Sequence, residues 1–565
     1  MSKKVTGGEL VVSMLAAFGV RYVFGVPGGQ TLAITDAILA HPDIQFVTAR
    51  HEGAAAVMAD AYGRITGTPG VCIATTGPGA TNLMTGVGGA FRDSSPAFVI
   101  TCNNNGANIH KDDAQNADHV ELFKPLTKWS RLIAHGSGIV QAMEEGYVRA
   151  MSGNPGPVHF DFARDTIEGF VDPAPEVPAT HRATEWVRQR PRPDEASLAA
   201  VVARVAAAER PVLWLGNGCK IAGAADASIA LAEQLNIPIV TTFNGIGVVP
   251  TTHPLVFGSL SRMGTSLSTR VIADADLVLA VGNSLNAVST GRWRLDLPEI
   301  VQIDVDPGMI GRYYSGRTTG LIADAVASLD EIRAALADQA SALRTSRQEW
   351  IDSLGSARTT WLAAPLDQLP AGQEVSPADL VRRLRDVSPD DTLLIPDAGN
   401  PGVWSFLWEI RKPGTYIKPV GFGNMGFALP AAIASAADDP DRPVLALIGD
   451  GSLGMTLAEL ETLVRVGGRV VVIVMNDDGY GNIRQEQVLH YDNRTIGVDF
   501  GPANYAQVAQ GLGLAAERIT DLDELAKKVD AAFAGSTPML FDVPISKEIS
   551  AWTYPTFAPF QPDAD

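Results

Sequence analysis

The sequence predicts an α/β protein built from three consecutive parallel-sheet domains, and three observations predict it. Short apolar runs ending in glycine- or asparagine-containing turns alternate with helical patterns along most of the chain, the pattern of β-α-β units. Two stretches, "VDPAPEVPATHRATEWVRQRPRPD" and the loop-like end of "ASALRTSRQEWIDSLGSARTTWLAAPLDQLPAGQEV", break that alternation. With 565 residues the chain is also too long for one core, because single cores stop growing at roughly 250–300 residues.

The elements follow in order. Residues 1–168 form the expected first domain. Its start, "MSKKVTGGELVVSMLAAFGVRYVFGVPGG", carries two lysines and a short apolar run, but Ser13 interrupts the run and no small-residue cleavage pattern follows, so it reads as a first helix. Strands follow in "YVFGV", "GVCIATTGPGATN" and "PAFVIT". The second domain, 192–336, has strands in "PVLWLGNG", "IPIVTTF", "ADLVLAVGNS" and "EIVQIDVD", and the third spans 374–552. No 20–50-residue repeat recurs, which excludes a solenoid.

Bulk properties narrow the function. A net charge of −19 repels phosphate backbones and anionic membranes, so neither nucleic acid nor membrane is an expected partner. No apolar stretch is long enough to span a bilayer. Cys72, Cys102 and Cys219 are far apart without CxxC spacing, which indicates neither zinc nor a disulfide framework and fits a cytoplasmic protein.

The most informative stretch is "GDGSLGMTLAELETLVRVGGRVVVIVMNDDGYGNIRQ", from Gly449. It reads strand, turn, helix, strand, which puts two polar clusters at the carboxyl ends of neighbouring parallel strands, where open α/β sheets bind ligands. Gly449 and Gly451 permit a tight turn and close backbone approach. Ser452 and the following amides suit a phosphate. Asp450 and Asp477 are oxygen ligands suited to magnesium on a diphosphate. A Gly-Asp turn alone is common; the spaced pair of clusters is the specific signal.

That pair resembles the thiamine diphosphate fingerprint, and the rest of the chain carries the resemblance onward. "VFGVPGG" ending at Gly29, "TARHEGAAAVMADAYGR" with Glu52, "TTGPGATN" from Thr75 and "GFGNMGFALPAA" from Gly421 match, in order and spacing, the superfamily of acetolactate synthase, pyruvate oxidase and 2-oxo acid decarboxylase. The resemblance covers essentially the whole chain. It implies a pyrimidine-binding first domain, a middle domain and a diphosphate-binding third domain.

The resemblance also implies roles. Glu52 would hydrogen-bond the aminopyrimidine ring of the cofactor, and the neighbouring apolar run would favour proton retention on its carboxyl; otherwise Glu52 is a helix-start acid paired with Arg50. Gly29, Pro78, Asn82, Asn400, Gly449, Gly451, Ser452 and Tyr480 would surround the cofactor, with Met425 as a wedge under its rings and the Gly423 carbonyl accepting from its exocyclic amine. Asp450, Asp477 and the Gly479 carbonyl would hold Mg2+. Relatives of this kind join Glu52 and the diphosphate site across a subunit interface, so the expected assembly is a homodimer or homotetramer.

Among these relatives the nearest resemblance is to acetolactate synthase large subunits, through Gln115 in "DDAQNAD" and the "IRQEQ" segment. Three positions depart from that pattern: Glu486 stands where those enzymes carry a pocket tryptophan, "VGNSLNAVSTGR" replaces their arginine-rich flavin segment, and Arg164 stands for a usual lysine. Glu486 would relay a proton, or be a solvated helix acid. His110 and His119 read as loop histidines near the pocket, and Arg484 and Gln487 as candidates for a substrate carboxylate. "WLGNGCKIAGA" lacks GxGxxG spacing, so FAD or ADP in the middle domain is unsupported, and Arg312 reads as a phosphate contact or an ordinary ion pair.

The expected substrate is a small 2-oxo acid. Carboligation of the acetolactate synthase kind, non-oxidative decarboxylation and 2-hydroxyacyl-CoA cleavage remain open. A binding protein that had lost the chemistry would lack Glu52 or Asp450, and a nicotinamide oxidoreductase would need a GxGxxG turn after its first strand; neither condition is met.

Overall fold

A computed structural model describes residues 4–261, 263–362, 375–554 and 556–557. Nineteen strands occur among them. In the first domain these are β1 (Val5–Thr6), β2 (Tyr22–Gly25), β3 (Gln45–Thr48), β4 (Gly70–Ala74), β5 (Ala97–Asn103), β6 (Trp129–Ile133), β7 (Pro157–Ala163) and β8 (Phe170–Val171). The second has β9 (Pro211–Leu215), β10 (Ile239–Thr242), β11 (Val256–Leu260), β12 (Leu277–Val281), β13 (Glu299–Asp304) and β14 (Thr318–Ile322). The third has β15 (Leu393–Pro396), β16 (Val444–Gly449), β17 (Val470–Asn476), β18 (Ala515–Arg518) and β19 (Met539–Pro544).

Each domain contains one parallel sheet. The orders are β3-β2-β4-β5-β7-β6, β11-β10-β9-β12-β13-β14 and β15-β16-β17-β19-β18, while β1 and β8 form a small antiparallel pair. The strands read as continuous apolar runs because helices cover both faces of a parallel sheet. Accordingly, every residue of β5, β9 and β17 is buried.

The expected first helix is present as Gly7–Ala17, closed by a capping box between Thr6 and Glu9. The first proline-rich connection contains only the short helix Ala183–Trp186, and the second begins as the long helix Ala340–Leu362. Residues 363–374, which carry the loop-like half of that second connection, lie outside the described residues.

The first and third sheets each bury one face in a core of their own and share a third core between them. Ala55, Met58 and Tyr62, from helix Glu52–Thr66, share one apolar cluster with Phe427, Ala431 and Leu460 of the third domain. No helix among the described residues is long and apolar enough to cross a membrane. Of the C-terminal segment, Tyr554 and Phe557 pack against Trp404, so its described part caps the third domain's core; the rest lies outside the described residues.

Candidate active site

Two clusters form, one in each outer domain. In the first domain β2 and β4 are neighbours although β3 separates them in sequence, so their carboxyl ends flank a switch point, where an open sheet presents a crevice. A Cβ at Gly28 would lie 2.5 Å from Thr75 Cβ, so only glycine lets the two turns touch. Thr75 Oγ1 donates to Gln30 Oε1 across them at 2.6 Å. Gly29 is exposed with open space beside it; Gly28 is the glycine the close approach requires. Gln30 and Thr75 were missed in the sequence because neither is a charged or metal-ligating type.

Gly77 adopts φ +63°, in the left-handed region glycine tolerates, and Pro78 follows as the first residue of the short helix Pro78–Asn82. That turn delivers Asn82 to Glu52, whose Oε2 accepts from Asn82 Nδ2 at 2.9 Å. Glu52 is half-buried at the start of its helix. Arg50 is not its ion-pair partner but meets Glu461 at 3.3 Å.

The loop after β5 corrects one expectation. His119 is fully buried rather than a loop histidine at the pocket edge. Its Nδ1 contacts Asp161 Oδ1 at 2.9 Å and its Nε2 accepts from the Gly77 amide at 3.1 Å. This assigns the proton to Nδ1, since Nε2 must keep its lone pair for Gly77. Gln115 stands exposed at φ +59° with its carbonyl accepting from Thr76 Oγ1 at 3.2 Å. His119 and Gln115 therefore grip the Gly77 turn, while His110 is exposed.

In the third domain, parallel pairing sets Gly449 opposite Met475, so Asp450 and Asp477 leave adjacent strand ends. Asp450 Oδ2 accepts from the Gly479 amide at 2.9 Å. Burial and then the Asp477 charge push Asp450 up to about 7. Burial also raises Asp477, against the pull of Arg484. Arg484 is taken up in this arrangement, donating to Asp477 Oδ2 at 3.2 Å and Asp499 Oδ1 at 2.9 Å. Gln487 is likewise engaged, with both main-chain groups of Ile496.

Around these acids, Gly451 lies where a Cβ would strike the Tyr480 ring at 2.7 Å, and a Cβ at Gly481 would lie 1.9 Å from Asp477 Oδ2 and 3.0 Å from Asn400 Nδ2. Asp450 Oδ1 and Asn400 Oδ1 are buried without a hydrogen-bond partner. Such orphans cost about 1–3 kcal/mol each, so two orphaned oxygens beside two crowded carboxyls suit a cation that would coordinate them.

Asp397, missed in the sequence because attention fell on Asn400 of the same "DAGNPG" turn, fastens the Met425 segment. Its carboxyl accepts from Gly426 N at 3.1 Å and Ala428 N at 2.8 Å, and Ser452 also bonds it. Met425 is half-buried and Gly423 is exposed at φ +71°. Glu486 is half-buried on helix Gly481–His490, two residues after Arg484, which holds Asp477.

In the middle domain the switch point lies between β9 and β12, where the Gly218 amide donates to the Gly282 carbonyl at 3.0 Å and closes the two turns on each other. Arg312 stacks over Tyr313, its ring centroid 5.4 Å away. Among the described residues no group of three or more His, Cys, Asp or Glu could hold a metal, so any metal here relies on two carboxylates and backbone oxygens.

Comparison with known proteins accords with this arrangement. Residues 5–122 match the thiamine pyrophosphate enzyme N-terminal TPP binding domain, 198–332 its central domain and 397–543 its C-terminal TPP binding domain. The chain is 32% identical to a probable acetolactate synthase large subunit of Methanocaldococcus jannaschii, over 95% of this chain and 92% of that protein. It is 28% identical to the acetolactate synthase large subunit of Lactococcus lactis, over 97% and 94%. It is 30% identical to the acetolactate synthase isozyme 1 large subunit of Escherichia coli, over 91% and 89%. With all three domains matched and full-length relatives of one kind, the chain belongs to the thiamine pyrophosphate enzymes, as an acetolactate synthase-like member.

Proposed function

We propose that this enzyme uses thiamine diphosphate with Mg2+ to form a carbon–carbon bond next to a carbonyl, taking a 2-oxo acid as donor and a second carbonyl compound as acceptor. The observation that carries this reading is the pair of buried carboxyls at adjacent strand ends, Asp450 and Asp477, with Asp450 Oδ1 left without a hydrogen-bond partner. The residues fit the metal: Asp450, Asp477 and the Gly479 carbonyl would hold Mg2+, and Asn400, Gly449, Gly451 and Ser452 would line the diphosphate.

The cofactor, when bound, supplies an acidic ring carbon that adds to carbonyls and a ring that accepts the electrons released. The chain's residues do the rest. Glu52, oriented by Asn82, holds the proton exchanged with the aminopyrimidine ring. Met425, on the segment Asp397 fastens, would supply an apolar contact to the cofactor rings. Gln115 borders the substrate. A homodimer or homotetramer that sets Glu52 of one copy against the metal cluster of another is supported by the exposed apolar side chains Phe422, Met455, Ile483, Val488 and Leu489 in the segments bearing that cluster.

Glu486 favours a second reading. An acid on the helix that follows the metal segment can protonate the decarboxylated substrate, and release would then replace addition of an acceptor, as in a non-oxidative decarboxylase or a 2-hydroxyacyl-CoA lyase. The test is a Mg2+-dependent titration with thiamine diphosphate, followed by a panel of 2-oxo acids with every product identified. Acetolactate or a homologous ligation product supports carboligation; aldehyde alone supports the second reading; no cofactor binding with Mg2+ present overturns both.

A further inference from the structure

The turn that launches Glu52 is held from another domain. Glu459, in the third domain at the start of helix Glu459–Val466, is 1% exposed, and its Oε1 accepts from two consecutive amides, Arg50 N at 2.9 Å and His51 N at 3.1 Å. Its other oxygen accepts from Thr462 Oγ1 at 2.7 Å. Neighbouring bonds reinforce the grip: Arg50 meets Glu461 at 3.3 Å, and Arg465 Nη2 donates to the Thr48 carbonyl at 2.6 Å. Thr48 through its carbonyl, and Arg50 and His51 through their amides, all bond to this one helix, and the next residue is Glu52.

The need for such a hold follows from the local backbone. His51 is the N-cap, extended at φ −150°, and its own Nδ1 already caps the Gly53 amide at 2.9 Å. The amides of Arg50 and His51 precede the helix and point away from it, so they have no intrahelical partner, and a buried amide left unmatched costs about 1–3 kcal/mol. A carboxylate that accepts both satisfies them and fixes the φ and ψ of the residues that aim Glu52. Hydrogen bonds to an ionised acceptor are roughly twice as strong as neutral ones, which makes this a stiff attachment.

Building on the proposed role of Glu52, we infer that Glu459 is a positioning residue: it locks the 48–51 turn of the first domain onto the third domain and thereby sets the direction of the Glu52 carboxyl. Glu459 touches neither substrate nor cofactor. Helix Glu459–Val466 follows directly on helix Asp450–Thr456, which carries the metal acid, so in the proposed assembly Glu459 lies between the Glu52 that serves one site and the Asp450 that serves another.

The test uses the full-length enzyme and reads the step that Glu52 serves, the exchange of the thiazolium C2 proton of bound thiamine diphosphate with deuterium, alongside cofactor affinity. Glu459→Ala is expected to slow exchange at least tenfold while the Mg2+-dependent thiamine diphosphate Kd changes less than threefold. Glu459→Gln, which keeps an oxygen for the two amides, is expected to restore exchange to within threefold of wild type. In a Glu52→Gln background, Glu459→Ala is expected to add nothing, since a residue that acts through Glu52 has no effect once Glu52 is disabled. Should Glu459→Ala fail to fold, Thr462→Val, which frees the second Glu459 oxygen, is expected to give a partial loss with the same dependence on Glu52. Wild-type exchange in Glu459→Ala, or an equal loss in both backgrounds, overturns the inference. Failure of wild type to bind the cofactor, or an unimpaired Glu52→Gln, overturns the proposed function instead.

Discussion

Asp450 and Asp477 stand just beyond the ends of adjacent parallel strands, both buried, and burial together with the Asp477 charge pushes Asp450 up to about 7. Metal binding requires the ionised form, so Mg2+ affinity is expected to fall about tenfold per pH unit as pH drops below Asp450's value and to level off above it. The sign for the metal-free protein is opposite. A carboxyl whose folded pKa lies above its unfolded one contributes stability at low pH that is lost as pH rises, so the metal-free chain is expected to lose stability between about pH 4 and pH 7. Thermal melts with and without Mg2+ at pH 6 and pH 8 check both, with the larger Mg2+ stabilisation expected at pH 8.

Asp477→Asn separates the charge effect from the burial effect. Removing the neighbouring charge takes away one of the causes that raise Asp450, so the pH dependence of Mg2+ binding is expected to move to lower pH while affinity at pH 8 falls. Calorimetric Mg2+ titrations in the presence of thiamine diphosphate measure both. A profile unmoved by the substitution would mean that burial alone raises Asp450.

Gly481→Ala is expected to abolish metal-dependent cofactor binding, since its Cβ would lie 1.9 Å from Asp477 Oδ2 and 3.0 Å from Asn400 Nδ2. Gly355→Ala, at a position with open space, is the control expected to bind normally.

Glu52→Gln is expected to retain thiamine diphosphate and lose activity by about 10²–10⁴-fold, the range of a general acid–base group. Asn82→Ala removes the one hydrogen bond that orients Glu52 from its own domain, and a smaller loss, about tenfold, is expected in kcat with little change in cofactor Kd. Steady-state kinetics with the donor identified by the 2-oxo acid panel provide the check.

His119→Phe leaves the Gly77 amide and the Asp161 carboxylate without their shared partner inside the first domain. Asp161 keeps Thr101 and Asn103 as donors, so the unmatched buried amide and the one lost bond to the carboxylate are expected to cost about 1–3 kcal/mol, measured by urea unfolding. His110→Ala, on the exposed part of the same loop, is expected to change stability by less than about 0.5 kcal/mol.

What the sequence determined by itself is local: three β/α alternations, their separation by proline-rich breaks, and glycine–acid clusters at strand ends. Period and turn chemistry are properties of neighbours along the chain, so the first helix, the sheets and the Asp450–Asp477 pair were legible in it. Only the tertiary structure decided what depends on partners distant in sequence. It buried His119 beneath the Gly77 turn, bonded Arg484 to Asp477 and Asp499, and pressed Gly28 against Thr75. It brought Glu459 to the turn before Glu52 across more than 400 residues of chain. A polar side chain's role is set by which donors and acceptors burial leaves within reach, and that inventory exists only once the sheets have packed.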